Sequence, residues 1–495
     1  MFQFRWVTRL ALAVGIVGAL VAAPSLGGSR TLKGAEAMSV QKVPGTWGSS
    51  ISVLNPSTNT ASANITVDFY SPAGGAPAMT VQTGSPLNPA APAPGGTAFW
   101  FVPNIVGLPQ NQTYSAVVSA DVQVFATVNL NTMANTTPQM GEEYNGVDAS
   151  QVATQVFVPT LQRTYFGFTS NVVIQNTDST AATVNMTITG VGSNGSVSVP
   201  VSPALSIPAN SSVTVDMTDY PALGNSFNGG ATINAGTNHI AAIVNDYTPL
   251  PLSGGQVNSL FSSDNAVAAG SGSSTVYVPS VSNNYYGFFT ALVVQNVDTA
   301  PANVVVTYSN GTVDNMFLTT TLAVGQSHLF FTPNSGVPVG FQGSATVTSP
   351  NSKLLLATVN IQGTPGSKGG IGLSSYDAFG AGGHTVLAPG LAKHYYGYTS
   401  DLAIQNVGSV AIPANGLTIT YVSSVNGATV VEHNPGSIPP GGQYNSFQGN
   451  DTLLGDSFNG GATVVSSGSP IVGIASLSGV PTADQLFTTN AFVTP

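Results

Sequence analysis

Few residues of this chain could do chemistry, and those few recur. A serine hydroxyl becomes a nucleophile when a histidine takes its proton and an acid orients that histidine. Gly455-Asp456-Ser457 has the form of such a nucleophile turn, yet no histidine follows Ser457 in the chain. Gly224-Asn225-Ser226 holds the same place in an earlier repeat, so the block reads as a repeat marker. The five histidines, His239, His328, His384, His394 and His433, show no metal-ligand spacing. Asp216 with Asp219 and Asp451 with Asp456 lack the alternating carboxylates and glycine of a calcium loop, and read as turn acids. A Lys–Asn crosslink in every repeat is excluded because residues 159–279 contain no lysine. The chain has no Cys, which removes disulfides, Cys-ligated zinc and thiol catalysis. No catalytic residue, cofactor site or metal site is therefore expected, and no enzyme activity. What remains are the aromatic pairs Tyr165-Phe166, Tyr285-Tyr286 and Tyr395-Tyr396. They are candidate ligand or module-contact residues: the rings could stack on sugars, or pack against a neighbouring module. The packing role is the favoured one, because aromatics at domain ends commonly close a core.

The elements that must position these pairs repeat with them. Tyr165–Asn176 (YFGFTSNVVIQN) returns as Tyr285–Asn296 (YYGFFTALVVQN) and Tyr395–Asn406 (YYGYTSDLAIQN), with a fainter copy at Thr46–Asn55 (TWGSSISVLN). Pro44, Pro159, Pro279 and Pro389 precede the copies, spaced 115, 120 and 110 residues apart, a common domain size. Short alternating or apolar runs predict strands over 155–158, 171–176, 182–189, 196–201, 211–217, 230–234 and 240–245. Gly, Pro and Asn separate them, so the reading is all-β: four tandem antiparallel β-sandwich (Ig-like) modules. The boundaries expected are a leader at 1–37 and modules at 38–150, 151–270, 271–380 and 381–495, the first divergent.

A second marker, LGNSFNGGA at Leu223–Ala231 and LGDSFNGGA at Leu454–Ala462, has the shorter relative VGFQGSA at Val339–Ala345. Its glycines are expected to supply positive φ, and Phe227, Phe341 and Phe458 to plug the cores. Apolar patches at Tyr144–Val147, Leu260-Phe261, Tyr376–Phe379 and Leu486-Phe487 read as an eighth strand or an interdomain plug. Arg163 is placed in a loop after the first strand of module two.

Charge bounds the partners. Only 6% of residues are charged, with 9 Lys and Arg against 19 Asp and Glu. Four of the basic residues, Arg5, Arg9, Arg30 and Lys33, fall in the expected leader. The rest cannot neutralise a phosphate backbone, so no nucleic acid is bound. Arg5 and Arg9 before the apolar run Leu10–Ala23 have the form of a signal peptide, with Ala35-Glu36-Ala37 as a cleavage triplet. A membrane is met only through that leader, if it stays uncleaved.

The order aromatic-aromatic-Gly, then IQN or VQN, then the turn Ile207-Pro208-Ala209-Asn210-Ser211, then the Phe-Gly marker and an apolar strand resembles the immunoglobulin-like β-sandwich repeats of secreted bacterial cell-surface proteins. The resemblance covers most of modules two to four, and no catalytic residues carry over. It implies an extracellular, bacterial cell-surface or matrix location. Two roles follow as expectations. One is a non-enzymatic structural or assembly protein (surface layer, filament, sheath or matrix) that self-associates through edge strands unguarded by lysine. The other is an adhesin that binds glycans through the aromatic pairs. Modules joined in series are expected to form an elongated rod, on the order of 150 Å for four sandwiches.

Overall fold

Strict alternation makes a half-buried strand, and Val184-Asn185-Met186-Thr187-Ile188 obeys it: the three apolar residues are buried and the Asn and Thr face solvent. The computed structural model describes residues 30–33, 43, 45–133, 139–149, 151–248, 259–310, 314–318, 321–364, 372–424, 427–479, 484 and 486–494. Among them it shows an all-β, sandwich-like architecture of antiparallel sheets with no α-helix. The run Leu10–Ala23, expected to be a signal peptide, and the triplet Ala35-Glu36-Ala37 lie outside the described residues. Arg30–Lys33, expected in the leader, pairs instead as an edge strand with 117–120.

Four hydrophobic cores divide the described chain into four core units. The second shows the plan. Its outer layer runs Gly195–Pro200, Ala182–Gly192, Phe227–Asn234, Gln155–Tyr165, and its inner layer runs Ser212–Asp216, Phe168–Asn176, Ile240–Tyr247, Phe261–Asn265. Arg163 belongs to the strand Gln155–Tyr165 and not to a loop; its Nη1 donates to Gly224 O at 3.0 Å and Asn225 Oδ1 at 2.8 Å. The motif asparagine fixes each unit's turn. Asn176 Nδ2 donates to the carbonyls of Thr180, Ile207 and Pro208, and Asn55, Asn296 and Asn406 make the corresponding bonds.

The Phe-Gly marker is a packing device. Phe227, Phe341 and Phe458 are buried as expected. Positive φ is supplied by a glycine before the Phe, at Gly224 (77°) and Gly340 (85°), whereas the glycine two residues after the Phe leaves room. A Cβ at Gly460 would stand 2.0 Å from Val422 O and 2.9 Å from the Phe458 ring.

The apolar patches form the fourth inner-layer strands: Gly141–Asn145, Phe261–Asn265, Gly372–Asp377 and Leu486–Asn490. These axial strands stand side by side around one axis, and this overturns the expected elongated rod. Asn265 Nδ2 donates to Asn145 O (2.9 Å), Asn145 Nδ2 to Asn490 O (2.7 Å), and Asn490 Nδ2 to Asp377 O (2.6 Å). At the other end, Asp484 accepts from Phe261 N (2.5 Å) and Leu373 N (2.9 Å), and bridges to Met140. The first unit thus meets the last, and rings of Phe125 and Phe492 lie 4.6 Å apart at the seam.

The physical reason is double-sided burial. In Ile240–Tyr247 every residue is buried: Ile240, Ala242 and Val244 enter their own core, while Ala241, Ile243 and Tyr247 join the core of the first unit. Leu402 and Ile404 likewise face the fourth core, and Ala403 the third. A chain in series would leave those second faces in water.

Phe458→Ala should destabilise the protein by about 3–5 kcal/mol, as for a buried ring lost from a packed core. Gly460→Ala should also destabilise it, because the nearest atom, Val422 O, is backbone and would have to shift. Denaturant unfolding checks both; a Phe458→Ala effect below about 1 kcal/mol contradicts the packing assigned to it.

Candidate functional site

The aromatic pairs sit at hairpin tips. Tyr165 pairs with Phe168, Tyr285 with Phe288 and Tyr395 with Tyr398, leaving two-residue turns Phe166-Gly167, Tyr286-Gly287 and Tyr396-Gly397. Both turn residues have positive φ, at 50° and 92°, 50° and 88°, and 49° and 90°. That is the signature of a type I′ turn, whose first position favours Asn or Gly. A bulky aromatic there is strained. Thr164, Asn284 and His394, at φ of 50–52°, add a bulge before each turn.

The expected packing against a neighbouring module fails for the second ring of each pair. Phe166 is 78% exposed, Tyr286 51% and Tyr396 82%. The first ring of each pair is half-buried and backs the second edge-on, with centroids 4.8, 4.5 and 4.6 Å apart. Burial raises the pKa of Tyr165, Tyr285 and Tyr395. In the first unit the corresponding Trp47 turns inward, its ring 4.5 Å from that of Phe261, so that unit displays no ring at this turn.

Sequence reasoning missed the residues that brace these turns. Arg163, Asn283 and Lys393 occupy one position, and each reaches the loop that follows the unit's 3-10 turn. Asn283 Nδ2 donates to Val337 O at 2.6 Å, and Lys393 Nζ to Asp451 O at 2.7 Å and Leu454 O at 2.9 Å. Their dissimilar types hid the shared position. The braced loops expose Val339 and Leu453.

The remaining candidates are brought to structural tasks. Asp216 accepts from Thr218 N and from Tyr247 OH, and Asp451 from Leu453 N and Leu454 N. Asp456 is exposed, 3.3 Å from Lys393 Nζ and 3.2 Å from His394 Nδ1; hydrogen bonds from both hold its carboxyl below the usual range. Among the described residues no hydrogen bond joins Ser457 to His394. His239 pairs with Asp178, and His328 stacks on Phe330. Among the described residues no three His, Asp or Glu side chains converge as a metal site.

No family model and no curated protein matches this chain. Among solved structures it is similar to a tetra-tandem repeat in the extending region of a large adhesion protein: 14% identity over 96% of this chain and 98% of that one, TM-score 0.11. It is also similar to an alpha-L-rhamnosidase of Streptomyces avermitilis complexed with L-rhamnose: 9% identity over 93% and 57%, TM-score 0.12. At these TM-scores neither likeness bears on the role of the site.

Electrostatics gather in and beside the inner layers, where Glu142, Glu143, Asp246, Asp264, Asp377, Asp401 and Asp484 lie. Burial pushes Glu143 and Asp401 up to about 7 and Asp246 to about 6, and holds Glu142 and Asp484 well above the carboxylate range. Asp264 and Asp377 are raised by burial, and Asp264 further by the charge of Asp377. An acid with a higher pKa folded than unfolded binds more protons in the native state between the two values, so stability falls as pH rises through that window. The window runs from about 4, the unfolded value, to about 7. Thermal unfolding should therefore be highest near pH 4–5 and at least about 5 °C lower at pH 8. Asp401→Asn should flatten the profile; stability that climbs from pH 4 to 8 contradicts it.

Proposed function

We propose that this protein is a non-enzymatic, extracellular adhesion protein of the cell surface, and that its working residues are the three aromatic turns. The observation that carries the reading is strain kept in triplicate: Phe166, Tyr286 and Tyr396 hold exposed rings at positive φ where Asn would sit at ease. One edge-on contact with the neighbouring ring is little return for a strained, exposed side chain, so display to a partner accounts for it. The leader pattern at Arg5–Ala23 supports export, and the low charge supports a partner that is neither nucleic acid nor anionic lipid.

The sheet order supports the finer architecture. In the second unit Gln155–Tyr165, Phe227–Asn234 and Ala182–Gly192 are neighbours in one layer, and Phe168–Asn176, Ile240–Tyr247 and Phe261–Asn265 in the other. Two antiparallel layers that exchange strands in this way support a Greek-key sandwich of the immunoglobulin-like kind.

Self-assembly is the second reading, and one observation favours it: the outer edge strands Gly195–Pro200 and Thr429–His433 are largely solvent-facing and carry no lysine. A rod-like filament subunit is not proposed, because the chain closes on itself.

The test replaces Phe166, Tyr286 and Tyr396 together by Asn, which keeps each turn and removes each ring. The variant should reach the cell surface, melt no lower than the wild type, and lose cell attachment. Full attachment by the triple variant contradicts the reading, and so does absence of the wild type from the surface in protease-shaving experiments.

A further inference from the structure

The three turns belong to one face of the molecule. Each leads into an inner strand whose first residues pair with the last residues of the next strand: Thr169 with Tyr247, Phe288 with Gly363, Thr399 with Ser478. Those residues pair in turn with the starts of the axial strands, Phe261, Gly372 and Leu486. The axial strands run in one direction, with their starts gathered at Asp484 and their ends at the asparagine chain. All three turns therefore stand at the Asp484 end.

Resting on the adhesion reading above, we infer that this face binds a neutral polysaccharide through all three turns at once. The turns carry rings but almost no charge. Beside Phe166 stands one positive charge, Arg163, whose guanidinium is held back on Gly224 O and Asn225, and beside Tyr285 the one described acid is the half-buried Asp401. Asp456 beside Tyr396 is paired with Lys393 and His394. An aromatic face with so few charges suits the C–H face of an uncharged pyranose. Each exposed ring rests edge-on against a second ring, so its plane is held before binding and little freedom is lost on contact. Three such platforms on one rigid body, set by one repeat, match a ligand that is itself repetitive. A lipid surface fits less well. Each turn offers two rings and not a broad apolar sheet, and the phenols of Tyr286 and Tyr396 carry hydroxyls.

Linked weak sites gain about 10²–10⁴ in apparent affinity without any new contact, and lose it when the sites are removed. The experiment measures binding of the whole protein to insoluble neutral glucan and mannan particles, to tetrasaccharides of the same polymers, and to phosphatidylcholine vesicles. At least one polymer should bind about a hundredfold or more tighter than its tetrasaccharide. Phe166→Asn, Tyr286→Asn and Tyr396→Asn should each weaken polymer binding about tenfold with unchanged melting, and the triple variant should bind at background. Single variants that bind like wild type overturn the inference, as do tetrasaccharides that bind as tightly as polymers. Vesicles bound in place of polymers overturn it too. Cells that need the rings for attachment while the protein ignores every polysaccharide overturn the inference and leave the adhesion reading intact.

Discussion

Four short strands passing hydrogen bonds head to tail around one axis hold the rest of this molecule in place. Asn265, Asn145 and Asn490 each reach the neighbouring strand's backbone, and Asp484 gathers amides from two other units at the opposite end. These contacts join residues 111 to 345 positions apart, so loop closure must be compensated by burial, and the inner layers supply it on both faces. Closure also takes carboxylates out of water. A chain with only 6% charged residues places several acids in and beside its inner layers, and that burial favours their protonated forms.

The repeated motifs make sense as joints between units. The inner layer of one unit lies on the outer layer of the unit before it. Gln405 Nε2 donates to Ala345 O, Ser327 Oγ to Pro159 O, and Ser115 Oγ to Asn210 O. A Cβ at Gly230 would stand 2.9 Å from both Gln295 Nε2 and Ser327 Oγ. Gln in IQN and the small pair in GGA or GSA are thus the two halves of one contact, in addition to the turn that Asn fixes. At the closing seam the Gln position is Leu54, and Ser57 reaches Thr463 across 3.2 Å. The edges that seemed to lack lysine guards are in part covered by the same chain.

Much of the strand pattern was legible in the sequence, because alternation and turn residues report local burial directly. The closed arrangement was not read, although a signal for it was present. Ile240-Ala241-Ala242-Ile243-Val244 does not alternate, and an uninterrupted apolar run in an antiparallel strand means that both faces are covered. Reading it as merely central concealed the neighbour. At the candidate site the residue types were legible and their exposure was not. Tyr-Phe-Gly states that a ring precedes a turn, whereas whether that ring faces inward, as Trp47 does, depends on what stands beside the turn. Arg163, Asn283 and Lys393 share a task without sharing a chemistry, and only their common strand position reveals it.

Closure around the axis is the claim on which the other assignments rest, and solution scattering of the monomeric protein tests it most directly. A compact body of this length has a radius of gyration of about 23 Å. The account predicts a value close to that, unchanged by moderate salt. A value near 43 Å, expected by rod geometry for four sandwiches in series on the order of 150 Å long, would contradict it.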